Sequence, residues 1–175
     1  MDLASSFLER SRYYLCTEYR IKLRAAVESM PDDAVWSRPN PESNSVGNLL
    51  LHLAGNVRQW VVSGIGGATD IRHRASEFQA RDGADAATLL LGLDKVLDEA
   101  DAVLAKLTAA DLAGSRTIQG REVNVLEAVY HVVEHFAGHL GQIVLVAKMH
   151  SPGAIRFYED AGGLARPVWP ELTRS

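Results

Sequence analysis

Apolar residues in this chain recur at three- and four-residue steps rather than at every second position. That spacing predicts helices and almost no strand. The first periodic segment runs from about Leu3 to Met30, with Phe7, Leu8, Tyr14, Leu15, Ile21 and Val27 on one face. It stops at Pro31, and the turn-rich stretch PDDAVWSRPNPESN follows, holding prolines 31, 39 and 41. The second starts near Asn44 or Ser45, either of which can cap a helix. Its stripe is Val46, Leu49, Leu50, Leu53, Val57, Trp60 and Val61, and it ends at the glycines between residues 64 and 67.

The polar stretch ATDIRHRASEFQARDGAD then reads as a long surface connection. The third segment, about Ala86 to Thr108, carries Leu89, Leu90, Leu93, Val96, Leu97, Leu104 and Leu107, with Asp85 as its cap. In SRTIQGREVN, Gly120 lies between short β-prone pieces and suggests a small hairpin. Asn124 and Glu127 then form a capping-box pattern, and the fourth segment runs to about Met149. Pro152, Gly162, Gly163, Pro167 and Pro170 make the tail irregular. The expected fold is all-α: a four-helix bundle over residues 1–150, with a tail over residues 151–175 packed on or beside it. The connections after the first two helices leave the crossover pattern open.

The chemistry concentrates in the fourth segment, where His131, His135 and His139 sit four residues apart in HVVEHFAGHLGQI. Neighbours at i and i+4 share a face roughly 6 Å apart and can converge on one ion; i and i+8 are separated by about 12 Å of rise and cannot. From the centre of the apolar stripe of Val125, Val129, Val132, Phe136, Leu140, Ile143 and Ala147, His139 lies about 70° away, His135 about 110° and His131 about 150°. The inward pair is therefore His135 and His139. His52, embedded in LLLHL on the second segment, supplies a third imidazole, because a histidine among leucines needs a partner. Asn48 and Asn56 flank His52 on its own face and are placed to orient it. Gln142 lies one turn beyond His139, and it and His131 are candidates for supporting positions. Three protein ligands with an open position is the arrangement of a catalytic metal site.

Composition narrows the field. The 175 residues fit one domain, and 18 Lys and Arg against 22 Asp and Glu, a net charge of −4, argue against a nucleic-acid binder. No apolar run is long enough for a membrane span, and MDLASSFLERSR lacks the pattern of a signal peptide. The single Cys16 cannot form an internal disulfide, which favours a cytoplasmic location. Flanked by ordinary surface charge, Cys16 reads as an inert thiol.

The phrases NSVGNLLLHLAGNVRQW, GGATDIRHRASEF and HVVEHFAGHLGQI, with EVNVLEA leading into the last, resemble the DinB/YfiT-like superfamily and its DUF1572-type members over about residues 3–150. That resemblance implies a four-helix bundle, often homodimeric, with a divalent ion such as nickel or zinc held by His52, His135 and His139. It places His131 in a supporting role. It also implies a small-molecule substrate, since some relatives are similar to transferases using a low-molecular-weight thiol and others to hydrolases.

Other readings compete. His131-Val-Val-Glu134-His135 is an HxxEH string, in which Glu134 would be the base of an inverted zinc protease; only 40 residues follow His135, too few for that catalytic domain. A di-iron carboxylate bundle needs paired Glu-x-x-His units, which this sequence lacks. A non-catalytic metal-binding or ligand-sensing bundle would use Trp36, Trp60 or Trp169 as partner contacts, unless those rings are core. Tyr13, Tyr14 and Tyr19 are candidates to line a pocket.

Overall fold

Each long helix begins where a short polar side chain takes up one of its first free amides. In the computed structural model, which describes residues 2–168, Asp2 accepts from Ser5, Ser45 from Asn48, Asp85 from Thr88 and Asn124 from Glu127. Ser45 and Asn124 each complete a reciprocal capping box. Residues 3–28 form α1, residues 46–65 α2, Arg74–Gln79 α3, Ala86–Leu104 α4 and Val125–His150 α5.

The fold is a four-helix bundle of α1, α2, α4 and α5. Ion pairs fix the helix directions. Arg12 meets Asp101 at 2.8 Å, Arg20 meets Asp98 at 2.6 Å, and Arg24 reaches Asp94, so α1 and α4 run antiparallel. Tyr19 stacks on Phe136 and Ser151 Oγ donates to Ser29 O, so α1 and α5 run parallel. His52 faces His135 while Trp60 faces His131, so α2 opposes α5. The order is up, down, down, up, with α4 and α5 lying between α1 and α2. Two consecutive helices pointing the same way force the connection between them, residues 66–85, to return the full length of α2.

The predicted stripes of α2 and α5 are buried at every position, and Phe136 is wholly inside. Removing that ring would cost on the order of 3–5 kcal/mol. The first helix departs from its predicted face. Leu8, Leu15 and Val27 are buried as expected, but Leu23 and Ala26 replace Ile21 in the core. The cause is a π-helical turn, Tyr13–Glu18, whose extra residue shifts the buried face off the 3.6-residue count. A second π-helical stretch, Arg58–Ile65, ends α2.

Strands β1 (Ser115–Ile118) and β2 (Arg121–Asn124) form the expected hairpin. Its turn residues Gln119 and Gly120 have φ of 54° and 72°, the double left-handed conformation of a two-residue hairpin loop. The tail is not wholly irregular: β3 (Tyr158–Asp160) and β4 (Ala165–Pro167) pair antiparallel around Gly162 and Gly163, both at positive φ. Trp169 and Pro170 lie outside the described residues. Among the described residues, no helix is long and apolar enough to cross a membrane.

Candidate metal centre

His52 sits at mid-length in α2, where Leu49, Leu50 and Leu53 anchor the helix in the core. Its ring is itself 3% exposed. From α5, His135 and His139 turn toward it, with ring centroids 5.0 Å from His52 in both cases and 4.6 Å from each other. One nitrogen from each of the three rings lies within 4.8 Å of the other two. Nitrogens held at ~2.0–2.1 Å around one ion stand roughly 3–3.4 Å apart, so the cluster is about 1.5 Å or less from enclosing a metal. The three neutral nitrogen donors suit a borderline divalent cation.

The orientation of His52 comes from a residue that helix periodicity does not single out, although it lies in the phrase GGATDIRHRASEF that carries the family resemblance. Glu77, on the short helix α3, places Oε2 2.9 Å from His52 Nδ1. Arg72 clamps the same carboxylate in a fork, Nε to Oε1 at 2.7 Å and Nη2 to Oε2 at 2.8 Å, and its side chain is only 4% exposed. Arg72 Nη2 also lies 3.1 Å from Nδ1. Two bare acceptors 2.9 Å apart would repel, so Nδ1 carries the hydrogen and donates to Glu77. His52 Nε2 is then a free lone pair aimed at the cluster. It lies 2.9 Å from His135 Nε2, which must hold the one proton between them. A cation held by the three rings would displace that proton.

Charges agree with this arrangement. Burial alone would raise the Glu77 pKa, but the Arg72 and His52 hydrogen bonds outweigh it and hold the carboxyl below its ordinary value. Burial, with His139, His52, His131 and Arg72 adding repulsion, pushes the His135 imidazole down to about 3. Burial lowers His139 as well, partly opposed by its contact with Gln142. Both rings are therefore uncharged at neutral pH, the form that binds metal.

Backbone shape makes room for the carboxylate. A Cβ on Gly55, three residues after His52, would overlap Glu77 Oε1 and lie 2.9 Å from Arg72 Nε. Further tethers hold the loop along α2. Asn48 Nδ2 donates to Glu77 O at 2.7 Å and to Ala80 O at 2.9 Å, Gln59 bridges Asp70 and Arg72, and Trp36 Nε1 donates to Ala84 O at 3.0 Å. Residues 68–85 form the expected surface connection, most of them exposed, yet they also contain a short helix and one buried acid, Glu77, because polar groups there find partners on α2.

The remaining expected residues divide. Gln142 Oε1 lies 3.0 Å from His139 Nδ1 and fixes that ring as Glu77 fixes His52. His131 is outside the three-nitrogen cluster; its ring packs on Trp60 with centroids 4.2 Å apart. Asn48 and Asn56 make no hydrogen bond to His52: Asn48 holds the loop, and Asn56 is buried without a partner for its Oδ1. Glu134 is exposed, and His73 and His150 face solvent. Trp60 and Trp36 are taken up by contacts within the chain, while Trp169 lies outside the described residues. Burial pushes the Cys16 thiol up to about 12, and its Sγ faces Leu97 O, so it is inert. Tyr14 lines an apolar cleft of about 400 Å³ with Phe7, Tyr130 and Val133; Val133 lies on the side of α5 away from His135.

The family model described as a protein of unknown function, DUF1572, matches residues 2–157. A DinB-like protein from Bacillus cereus superposes with a TM-score of 0.65 at 18% identity, covering 85% of this chain and 95% of that one. A DinB-like protein from Bacillus subtilis superposes with a TM-score of 0.60 at 18% identity, covering 80% of this chain and 90% of that one. No curated protein matches the sequence.

Proposed function

The chain belongs to the DUF1572 family, and from that premise we propose that it holds a divalent metal ion, nickel or zinc, on His52, His135 and His139 and uses it to transfer a small thiol or to hydrolyse a small molecule. The observation that carries this reading is the Glu77–His52 hydrogen bond at 2.9 Å beside two uncharged imidazoles. A carboxylate behind a ligating histidine is the arrangement that orients metal ligands. When bound, such an ion lowers the pKa of water or thiol so that a nucleophile exists at neutral pH.

This chain's own residues orient the ligands and limit solvent. Glu77, clamped by Arg72, keeps the His52 proton on Nδ1, Gln142 holds His139, and the 66–85 crossover covers one side. Among the described residues, Glu77 is the carboxylate bonded to the cluster, and it is committed to His52 and Arg72. Among the described residues, no second carboxylate joins the cluster as a base. That favours thiol transfer, in which the nucleophile ionises on its own, over hydrolysis. The same observation supports a second reading, a metal-binding or ligand-sensing bundle without catalysis.

The proposal includes a small-molecule substrate, a cytoplasmic location and a homodimer. Elemental analysis of untagged protein purified without chelator, followed by thiol-conjugation assays on wild type and His52→Ala, tests it. Stoichiometric metal with turnover that His52→Ala abolishes supports the enzyme; metal without turnover supports the sensor; no retained metal overturns both.

A further inference from the structure

Among the buried polar atoms that have no partner among the described residues are two on α2, the helix of His52: Asn56 Oδ1 and Trp60 Nε1. The residues are 4% and 3% exposed. An amide or indole N–H withdrawn from water without a hydrogen bond costs roughly 1–3 kcal/mol, and a leucine or phenylalanine would avoid that cost. Their position is fixed by their neighbours. On α2, Asn56 lies one turn after His52, about 40° from it in direction, and about one turn before Trp60, which stands in the π-helical stretch. His52 reaches His135, and Trp60 packs on His131. Asn56 therefore faces α5 in the interval between His131 and His135, adjoining the metal ligands. It does not support them, since none of its atoms is hydrogen-bonded to His52 or His135.

We propose that Asn56 and Trp60 form a polar subsite that binds an amide group of the substrate, next to the three-histidine centre; this rests on the thiol-transfer reading above. The chemistry selects the ligand group. Trp60 Nε1 can only donate, so the ligand must present an acceptor. The orphaned Asn56 atom is its carbonyl oxygen, which pairs only with a ligand N–H. A carboxylate would leave Asn56 Oδ1 facing a second lone pair. A secondary amide supplies an N–H for Asn56 Oδ1 and, pointing the other way, a C=O for Trp60 Nε1, one group for each orphaned atom. No bond is made or broken here; the subsite decides which thiols are held beside the metal.

The test uses two thiols that differ only in that N–H: N-acetylcysteamine and its ester counterpart, 2-mercaptoethyl acetate. Each is titrated into cobalt-loaded protein, and binding is read from the visible cobalt absorption, with cobalt content measured separately for every variant. Wild type is expected to bind the amide thiol about tenfold more tightly than the ester, the usual scale for a hydrogen bond that satisfies a buried group. In Asn56→Leu the two thiols should bind equally, with cobalt content unchanged and thermal stability equal or higher. Trp60→Phe keeps the ring against His131, removes the N–H and should weaken both thiols together, since each offers a carbonyl.

Equal binding of the two thiols by wild type, or a preference that survives Asn56→Leu, overturns the subsite and means that Asn56 bonds only water. If cobalt binds but neither thiol alters its spectrum, the thiol reading falls, and the subsite with it. If Asn56→Leu does not fold, a Trp60→Phe variant that binds both thiols as wild type does also overturns the proposal.

Discussion

His52 Nδ1 and Glu77 Oε2 lie 2.9 Å apart although they stand 25 positions apart in the chain, and the crossover between α2 and α4 brings them together. The bond sets the tautomer that points Nε2 at His135. Replacing Glu77 with Gln keeps the shape, removes the charge, and should weaken metal binding by about 10–100-fold. Competition against a chelator measures this; an unchanged affinity would remove Glu77 from the site.

Gly55→Ala should act against the usual rule. In a helix interior, alanine is favoured over glycine by about 1 kcal/mol. Here the added methyl overlaps the Glu77 carboxylate and crowds Arg72. We expect the variant to lose stability by about 1–3 kcal/mol and to bind metal less well, read by denaturant unfolding and by metal content.

The ligand set can be dissected one ring at a time. His52→Ala and His139→Ala should abolish stoichiometric metal, and His131→Ala should keep it, because His131 lies on Trp60 and outside the nitrogen cluster. An HxxEH protease site on His131 and His135 would give the reverse result for positions 131 and 139. Elemental analysis of the three purified variants decides between them.

Acid should weaken the metal-free fold. The folded pKa of His135 is about 3, well below the 6.5 of an unfolded histidine. Between those values the unfolded chain binds the extra proton, so stability rises with pH across the window and is lost as pH falls through it. Glu77 acts in the same sense at lower pH: its folded pKa lies below the ordinary 4.5, so its contribution is present above that value and disappears as the carboxyl protonates. Unfolding midpoints from pH 7 to 4 should fall for wild type and fall less for His135→Ala.

Periodicity carried the bundle. The stripes of α2 and α5, three of the helix caps and the Gly120 turn follow local rules that short stretches of sequence obey. The trio of histidines was legible for the same reason, since helix geometry alone turns His135 and His139 inward. The other half of the site was not. Arg72 and Glu77 sit in a stretch whose polarity reads as solvent-exposed, and what buries them is each other, His52 and the notch at Gly55. Those are long-range pairings with no period. In α1 the π-helical turn at Tyr13–Glu18 shifted the buried face in a way that counting by 3.6 does not anticipate.

The return path of residues 66–85 is longer than distance requires. The twenty residues of α2 rise only about 30 Å, which roughly nine extended residues could span. The remaining length is slack, and it is coiled into the helix and fork that hold the carboxylate behind His52. Scaffold and chemistry are thereby separable in this chain: a shortened crossover would still let four helices pack, yet strip away the part that prepares an imidazole for its ion.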